Sequence, residues 1–258
     1  MISGLESAKL KIARAKEHFI ALARRAQSYS QSDPFEIITD AEGKKILHIT
    51  RQPPEAISVL AGEMVYQLRS TLDHLAFNLV KLNPSGAALP TDWEKRCEFP
   101  IWFKPPGTGP AYNCFDSVLP GISKPAFALI ESWQPYHRRG AGNALKLVAQ
   151  LSNIDKHRHL NVIFPKVSQQ EIMYEAHGTT SARAQGGLRH GAEISPLYSV
   201  CPDDRLVWRQ DFVSYITFDE PTVGEGVASL DVLNVLDVCL QCLKTPIILE
   251  FEKLLTSP

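Results

Sequence analysis

The clearest hydrophobic pattern in the chain lies between Pro53 and Asn83. Large apolar residues recur there at three- and four-residue spacing, which is typical of the buried stripe of a long α-helix. Pro54 can occupy the first helical turn without losing a needed N–H, and Pro84 disfavours helical backbone at Asn83. The pattern therefore predicts a helix over 54–83 with a core stripe that contains Ile57, Leu60, Met64, Leu68, Leu72, Leu75 and Leu79.

The opposite side of this predicted helix mixes charged and aromatic residues. Arg69 and His74 fall about 140° apart on the helix and flank this side. Between them lie Tyr66, Ser70, Asp73 and Phe77. A face that meets only water would carry mainly Lys, Glu and Gln. The mixture predicts that another part of the chain or a second subunit covers this face. We expect a homodimer with Tyr66, Asp73, His74 or Phe77 at or near the interface.

Weaker patterns predict further elements around the central helix. An amphipathic helix over 4–31 and a β-hairpin over 35–50 precede it. Within 124–155 we predict a short helix over 124–133, capped by Ser123 and ended by Gln134-Pro135-Tyr136, and a second helix that begins near Asn143. Strand-like runs fill 160–220, and the C-terminal stretch 227–255 returns to helix with a kink at Pro246. We therefore predict a single α+β domain over 1–258: a helical bundle with an antiparallel β layer inserted before the C-terminal helix.

Composition narrows the class of protein without identifying a function. The 258 residues include 44% hydrophobic and 21% charged side chains, which is typical of globular proteins. The formal net charge is −1, so no overall basic field attracts nucleic acid. The first residues are charged rather than signal-like, and no run approaches the roughly 18 apolar residues that a membrane span needs. These features predict a cytoplasmic protein that has no membrane partner.

The metal-ligating residue types do not form a recognisable site. Five scattered cysteines predict reduced thiols, and Cys239 and Cys242, although spaced like metal ligands, fall inside an apolar helical pattern. We interpret both as core cysteines, because no second pair completes four ligands. Neither a metal nor a cofactor is expected. A weaker metal alternative, without an HExxH-like motif, would use His74, Asp155, His157 and Glu63.

The run Arg69-Ser70-Thr71-Leu72-Asp73-His74 contains an R-x4-H pattern. This pattern resembles the signature of the HEPN superfamily, small helical domains of which many are metal-independent ribonucleases. HEPN nucleases often place Asn, Asp or His directly after the Arg, where this chain has Ser70. The resemblance covers about one helix. It implies a HEPN-like helical core and a composite site in which Arg and His come from two facing helices of a dimer.

The nuclease resemblance implies a chemical role for each residue. Metal-free cleavage of RNA requires a base that deprotonates the 2′-OH and a cation that stabilises the phosphorane. Histidine suits proton transfer near neutral pH, and the planar guanidinium of arginine matches phosphate oxygens. The structural alternative is an Arg69–Asp73 ion pair at i, i+4 spacing on the helix. The candidate catalytic residues are Arg69, Ser70, Asp73 and His74.

A second resemblance covers most of the chain. Gln67-Leu68-Arg69-Ser70 and Asp73-His74-Leu75-Ala76 are similar to the corresponding runs of a bacterial family. The other motifs shared with this family are Phe99-Pro100-Ile101, Gln134-Pro135-Tyr136 and Asn153-Ile154-Asp155-Lys156-His157-Arg158. This resemblance implies no activity.

The last of these motifs contains a second polar cluster, formed by Asp155, Lys156, His157 and Arg158. The structural interpretation is a helix C-terminal cap with a buried ion pair, so we expect Asp155 and Arg158 to be largely buried. The functional alternative is that Lys156, His157 or Arg158 completes the site around the central helix.

The sequence leaves two functions open. The first is a metal-independent endoribonuclease of the HEPN type that acts on RNA in stress or defence. The alternative is a non-catalytic interaction or ligand-sensing protein on the same scaffold. The pair of Arg69 and His74 favours the nuclease, whereas the near-neutral net charge favours the alternative.

Overall fold

The chain folds into packed helices and antiparallel sheets. The computed structural model describes residues 4–84, 86–105, 118–137, 140–158, 160, 162–175, 178–188, 190–193, 207–218 and 231–256. The helices are α1 (Gly4–Ser30), α2 (Glu55–Leu82), α3 (Trp93–Arg96), α4 (Lys124–Ser132), α5 (Gly140–His157), α6 (Val232–Cys242) and α7 (Ile248–Thr256). The strands are β1 (Phe35–Thr39), β2 (Lys45–Ile49), β3 (Val162–Glu175), β4 (Gly178–Leu188) and β5 (Val207–Phe218). The mixed α and β class is confirmed.

The predicted central helix is present as α2, and its apolar stripe lies in the core. Leu68, Leu72 and Leu75 are fully buried, as the spacing predicted. The helix ends where expected: Asn83 adopts a left-handed backbone with φ of 33°, directly before Pro84. A left-handed residue after the last turn is a common way for a helix to end. The pattern of apolar positions therefore located both the helix and its buried face.

The first helix, α1, packs lengthwise along α2 in the antiparallel direction. Ser7 near the start of α1 contacts His74 late in α2, whereas His18 contacts Glu63 earlier in α2. Residue numbers thus rise along α1 as they fall along α2, which fixes the direction. The β1–β2 hairpin between the two helices makes this antiparallel packing possible.

The hairpin is confirmed, with Phe35 paired to Ile49 and Thr39 paired to Lys45. Its turn is held by the Asp40 carboxylate, which accepts the backbone N–H groups of Glu42 and Lys44 at 2.9 and 2.8 Å. Asp is favoured in turns because its side chain can accept such bonds.

The β layer predicted before the C-terminal helices is a three-stranded antiparallel sheet with the order β4-β3-β5. Its inner end joins the helical core through the buried side chains of Val162, Ile216 and Phe218. The sheet therefore adds to the same core that α2 organises. Part of the strand-like stretch predicted over 160–220 lies outside the described residues.

The two helices predicted within 124–155 are both present, with the predicted break between them. After α4 comes a short 3₁₀ turn, Pro135–His137, and then α5. Ser123 caps α4 by accepting the N–H of Ala126, with Pro125 in the first turn. Proline in the Gln134-Pro135-Tyr136 motif provides the physical reason for the break, since it cannot donate the N–H that a continuous helix needs.

The C-terminal stretch contains the kink predicted at Pro246. A five-residue π-helical turn, Leu243–Ile247, joins α6 to α7 and contains this proline. Cys239 is buried in α6, as expected of a core cysteine, and Cys242 is half-buried. By length and apolar composition the stretch Val232–Leu254 could cross a membrane, as the core helix of a soluble protein also can. In this fold 44% of its apolar window is buried.

Candidate functional site

Arg69 and Asp73 form an ion pair one turn apart on α2. A terminal guanidinium nitrogen of Arg69 lies 2.9 Å from Oδ1 of Asp73, and Nε donates to Oδ2 at 3.2 Å. A second carboxylate, that of Glu98, lies 3.6 Å from the same guanidinium. Only 14% of the Arg69 side chain is exposed. The guanidinium is therefore committed to two carboxylates of its own chain.

Asp73 also holds the segment that follows α3. The backbone N–H of Phe99 donates to Oδ1 of Asp73 at 2.9 Å. The Phe99 ring is fully buried and meets Phe251 of α7 edge to face, with ring centroids 6.3 Å apart. Asp73 thus connects the polar side of α2 to an anchor of the core.

The same segment is held from its other side by Gln134, which is fully buried. Its Nε2 donates to the carbonyls of Pro100 and Ile130, each at 3.0 Å, and its Oε1 accepts the N–H of Trp102 at 2.8 Å. Buried polar groups need partners of this kind, because unpaired ones lose their hydrogen bonds to water. Three motifs of the bacterial-family resemblance therefore meet here through hydrogen bonds.

Cys97 lies at the edge of this network. Burial and the neighbouring carboxylates of Asp73 and Glu98 raise the pKa of the Cys97 thiol to about 12. The thiol is thus protonated at neutral pH and is not a nucleophile, since the thiolate is the reactive form.

His74 faces a different neighbour, the helix α1. Its Nδ1 forms a 2.6 Å hydrogen bond with the hydroxyl of Ser7. Partial burial lowers the pKa of His74 from its ordinary value, and the nearby Lys11 ammonium lowers it further, against a smaller opposing effect of Asp73. The imidazole is therefore neutral at pH 7, the form that can accept a proton.

The seam between α1 and α2 carries further polar contacts beside His74. The ammonium of Lys11 lies 5.7 Å from the centre of the Tyr66 ring, which is a cation–π distance. His18 is buried and pairs with Glu63 at 3.1 Å. Ser70 is half-buried one turn before His74. The α1 helix therefore covers the His74 edge of the face that the sequence predicted to be covered.

The structure gives Arg69 and His74 different partners within one chain. Arg69 binds the segment after α3, whereas His74 binds α1. Phe77 is also engaged internally, because it stacks on Trp93 with ring centroids 5.0 Å apart. Tyr66 is the residue of this face that remains most open to solvent, at 59% exposure. The homodimer stays a prediction, and Tyr66 is its most accessible contact.

The second polar cluster contacts α2 at Gly62. A Cβ added to Gly62 would lie 2.3 Å from Oδ1 of Asp155, so α5 and α2 approach closely here. Asp155 is half-buried, but Arg158 is exposed at the end of α5, which corrects its predicted burial. The helix ends at His157, so the next side chain can turn outward to water.

Lys156 and His157 are exposed as well. Gly62 and Arg69 are two turns apart on α2, about 10 Å along the axis. The Asp155 side chain contacts α2 at Gly62, and this contact is therefore distant from the Arg69 guanidinium.

The weaker metal arrangement is not assembled either, since Glu63 pairs with His18 and His74 with Ser7. No group of three or more His, Cys, Asp or Glu side chains among the described residues could hold a metal ion.

Sequence reasoning missed Ser7, Lys11 and Glu98 as partners of the candidate residues. Ser7 and Lys11 are separated from His74 by more than sixty positions, and only the antiparallel packing of α1 on α2 brings them together. Glu98 directly precedes the Phe99-Pro100-Ile101 motif, and that adjacency was the available signal.

A groove of about 610 Å³ lies elsewhere, between α1 and the C-terminal helices α6 and α7. It shares no lining residue with the surroundings of Arg69 or His74.

No family model, curated protein or solved structure matches the chain.

Proposed function

We propose that this chain is a non-catalytic ligand-sensing or interaction protein on a HEPN-like helical scaffold. The observation that carries the proposal is the engagement of Arg69 by Asp73 and Glu98. A guanidinium that stabilises a phosphorane must exchange its carboxylate partners for phosphate oxygens. If Arg69 left Asp73 to bind a phosphate, Asp73 would lose its charge partner. Asp73 also accepts the backbone N–H of Phe99, so this change would affect the support of the core.

The charge distribution supports the same proposal. Because the net charge is −1, binding of RNA would require a local cluster of cations. The densest such cluster, on α1, is partly neutralised, because Lys9 pairs with Glu252 and Arg14 pairs with Glu17. By contrast, the groove beside α1 has a volume within the range of about 300–1,000 Å³ typical of small-molecule sites.

A metal-independent endoribonuclease centred on His74 is the second candidate. Its supporting observation is the neutral imidazole beside Ser7 and Lys11, with the exposed Tyr66 ring nearby. His74 would deprotonate the 2′-OH, Lys11 would supply the cation in place of Arg69, and Tyr66 would stack on a base.

An RNA-cleavage assay separates the two candidates. The purified protein is incubated with single-stranded RNA and excess EDTA, and the products are resolved on a gel. The binding-protein proposal expects RNA to remain whole at every protein concentration. Cleavage to 2′,3′-cyclic phosphate ends that disappears in His74→Gln and Lys11→Gln, but persists in the control Lys81→Gln, would overturn it in favour of the nuclease.

A further inference from the structure

The groove beside α1 is bounded by two helical walls. One wall is α1, and the other is formed by α6, the π-helical turn and α7. Its lining on α1 includes Ala13 and Lys16, which fall on nearly the opposite side of that helix from Ser7 and His18. The groove is therefore separate from the polar seam with α2.

The walls of the groove are mainly apolar. Two of the large apolar lining side chains remain substantially open to solvent, Ile20 at 40% and Leu249 at 48%. Exposed aliphatic side chains within one concave surface are typical of a site that an apolar ligand covers. The apolar lining includes Ile12, Phe19, Ile20, Leu240, Ile248 and Leu249.

The rim of the groove carries charges of both signs, but not all of them are neutralised. Lys9 and Glu252 form a 2.7 Å ion pair that joins α1 to α7 at one end of the groove. Asp237 accepts a hydrogen bond from Gln241 at 3.1 Å. Across the part of the chain that the structure describes, no carboxylate lies within ion-pair distance of Lys16 or Lys244. The groove thus combines apolar walls with two uncommitted ammonium groups, one on each wall.

The position of Lys244 depends on the π-helical turn. Pro246 lacks an N–H, and its ring would clash with a backbone carbonyl one turn earlier in a regular helix. The π turn Leu243–Ile247 accommodates this proline, keeps Leu243 and Ile247 in the core, and leaves Lys244 exposed at the groove. Single π turns inside α-helices are frequent at functional sites.

The groove is elongated along α1, which suits an extended, chain-like ligand. Its α1 wall runs from Lys9 to Ile20, about 17 Å at the helical rise of about 1.5 Å per residue.

We propose that this groove binds a single-chain anionic amphiphile, a fatty carboxylate. Its hydrocarbon chain lies along the apolar walls, and its carboxylate lies between the ammonium groups of Lys16 and Lys244. The ligand class rests on the proposed binding function and specifies what is sensed. The two cations select an anionic head group, and the apolar walls select the chain.

Calorimetric titration with decanoate and, in parallel, decanol tests the proposal with a matched charged and uncharged head group. Decanoate is expected to bind at least about tenfold more tightly than decanol, because a charge-assisted hydrogen bond contributes that much. Lys16→Gln and Lys244→Gln should each weaken decanoate without changing decanol. Lys81→Gln, an exposed lysine in the last turn of α2, should change neither.

A groove-filling variant tests the location. Ala13 lines the groove and is exposed, so Ala13→Trp should leave the circular dichroism spectrum unchanged while abolishing binding of both ligands. Equal affinity for decanoate and decanol, or undiminished decanoate binding by Ala13→Trp, would overturn the proposal. Binding to vesicles of phosphatidylglycerol without binding of free decanoate would also overturn it, in favour of membrane docking. His74-dependent RNA cleavage would refute the non-catalytic function and leave the titration to be judged independently.

Discussion

The carboxylate of Asp73 accepts the backbone N–H of Phe99 at 2.9 Å, and this hydrogen bond connects the polar side of α2 to an aromatic anchor of the core. The same carboxylate is paired with Arg69, so the guanidinium helps to hold the Asp73 side chain that binds the buried Phe99. A motif that resembles a nuclease signature therefore has a structural role in this chain.

The core stripe of α2 is tested by truncation of a buried leucine. Leu72 is fully buried, so Leu72→Ala should lower the free energy of unfolding by about 2–5 kcal/mol through lost burial and a cavity. Leu82, which is 56% exposed at the end of the same helix, provides the control, and Leu82→Ala should change stability by less than about 0.5 kcal/mol. Equal urea midpoints for the two variants would show that the buried face of α2 is wrongly assigned.

The close approach of α5 to α2 predicts an unusual response at Gly62. In an open helix position, Gly→Ala would stabilise by up to about 1 kcal/mol through helix propensity. Here the new Cβ would fall 2.3 Å from Oδ1 of Asp155, so Gly62→Ala should destabilise the protein.

A double-mutant cycle tests the cause of that destabilisation. In the Asp155→Ala background the clash is absent, so the same Gly62→Ala change should become neutral or stabilising. Additive effects of the two substitutions, measured by urea denaturation, would show that Asp155 does not determine the spacing of the two helices.

The lowered pKa of His74 predicts a pH dependence of stability with a definite sign. In the unfolded chain the imidazole titrates near about 6.5, whereas in the folded protein its pKa is lower. As the pH falls below the unfolded value, the unfolded chain takes up this proton first, so stability decreases until the pH passes the folded value. His74→Gln should lose less stability than the wild type between pH 7.5 and 5.5.

The free energies of unfolding at these two pH values provide the measurement. All other ionisable groups are common to both proteins, so the difference between wild type and variant isolates His74. An identical pH dependence in both would mean that burial and the nearby Lys11 ammonium do not disfavour protonation of His74.

The helices could be predicted because their signals are local. The apolar period of α2, the proline after Asn83 and the cap of α4 act within a few residues of where they occur. The hairpin followed equally from two short strand-like runs around a turn. These elements are determined by backbone chemistry and by a single buried face.

The partners of the candidate residues could not be predicted, because they depend on packing between distant segments. The sequence placed Arg69 and His74 on one side of a helix, but it did not show that α1 would cover one and the 97–102 segment the other. The exposure of Arg158 has the same origin, since it follows from the point at which α5 ends. Spacing gives directions on a helix, whereas the packed neighbours determine what lies in each direction.

The structural role of Arg69 is tested by the free energy of unfolding of Arg69→Gln, with Arg96→Gln as the matched control. The Arg96–Asp92 pair has the same i, i+4 spacing and a 2.6 Å contact, but 62% of the Arg96 side chain is exposed. Arg96→Gln should therefore change stability by less than about 1 kcal/mol. Arg69→Gln should cost about 1–3 kcal/mol, because it leaves the half-buried Asp73 without its cation. Equal stability of the two variants would contradict the account and show that Arg69 is free to hold a phosphate.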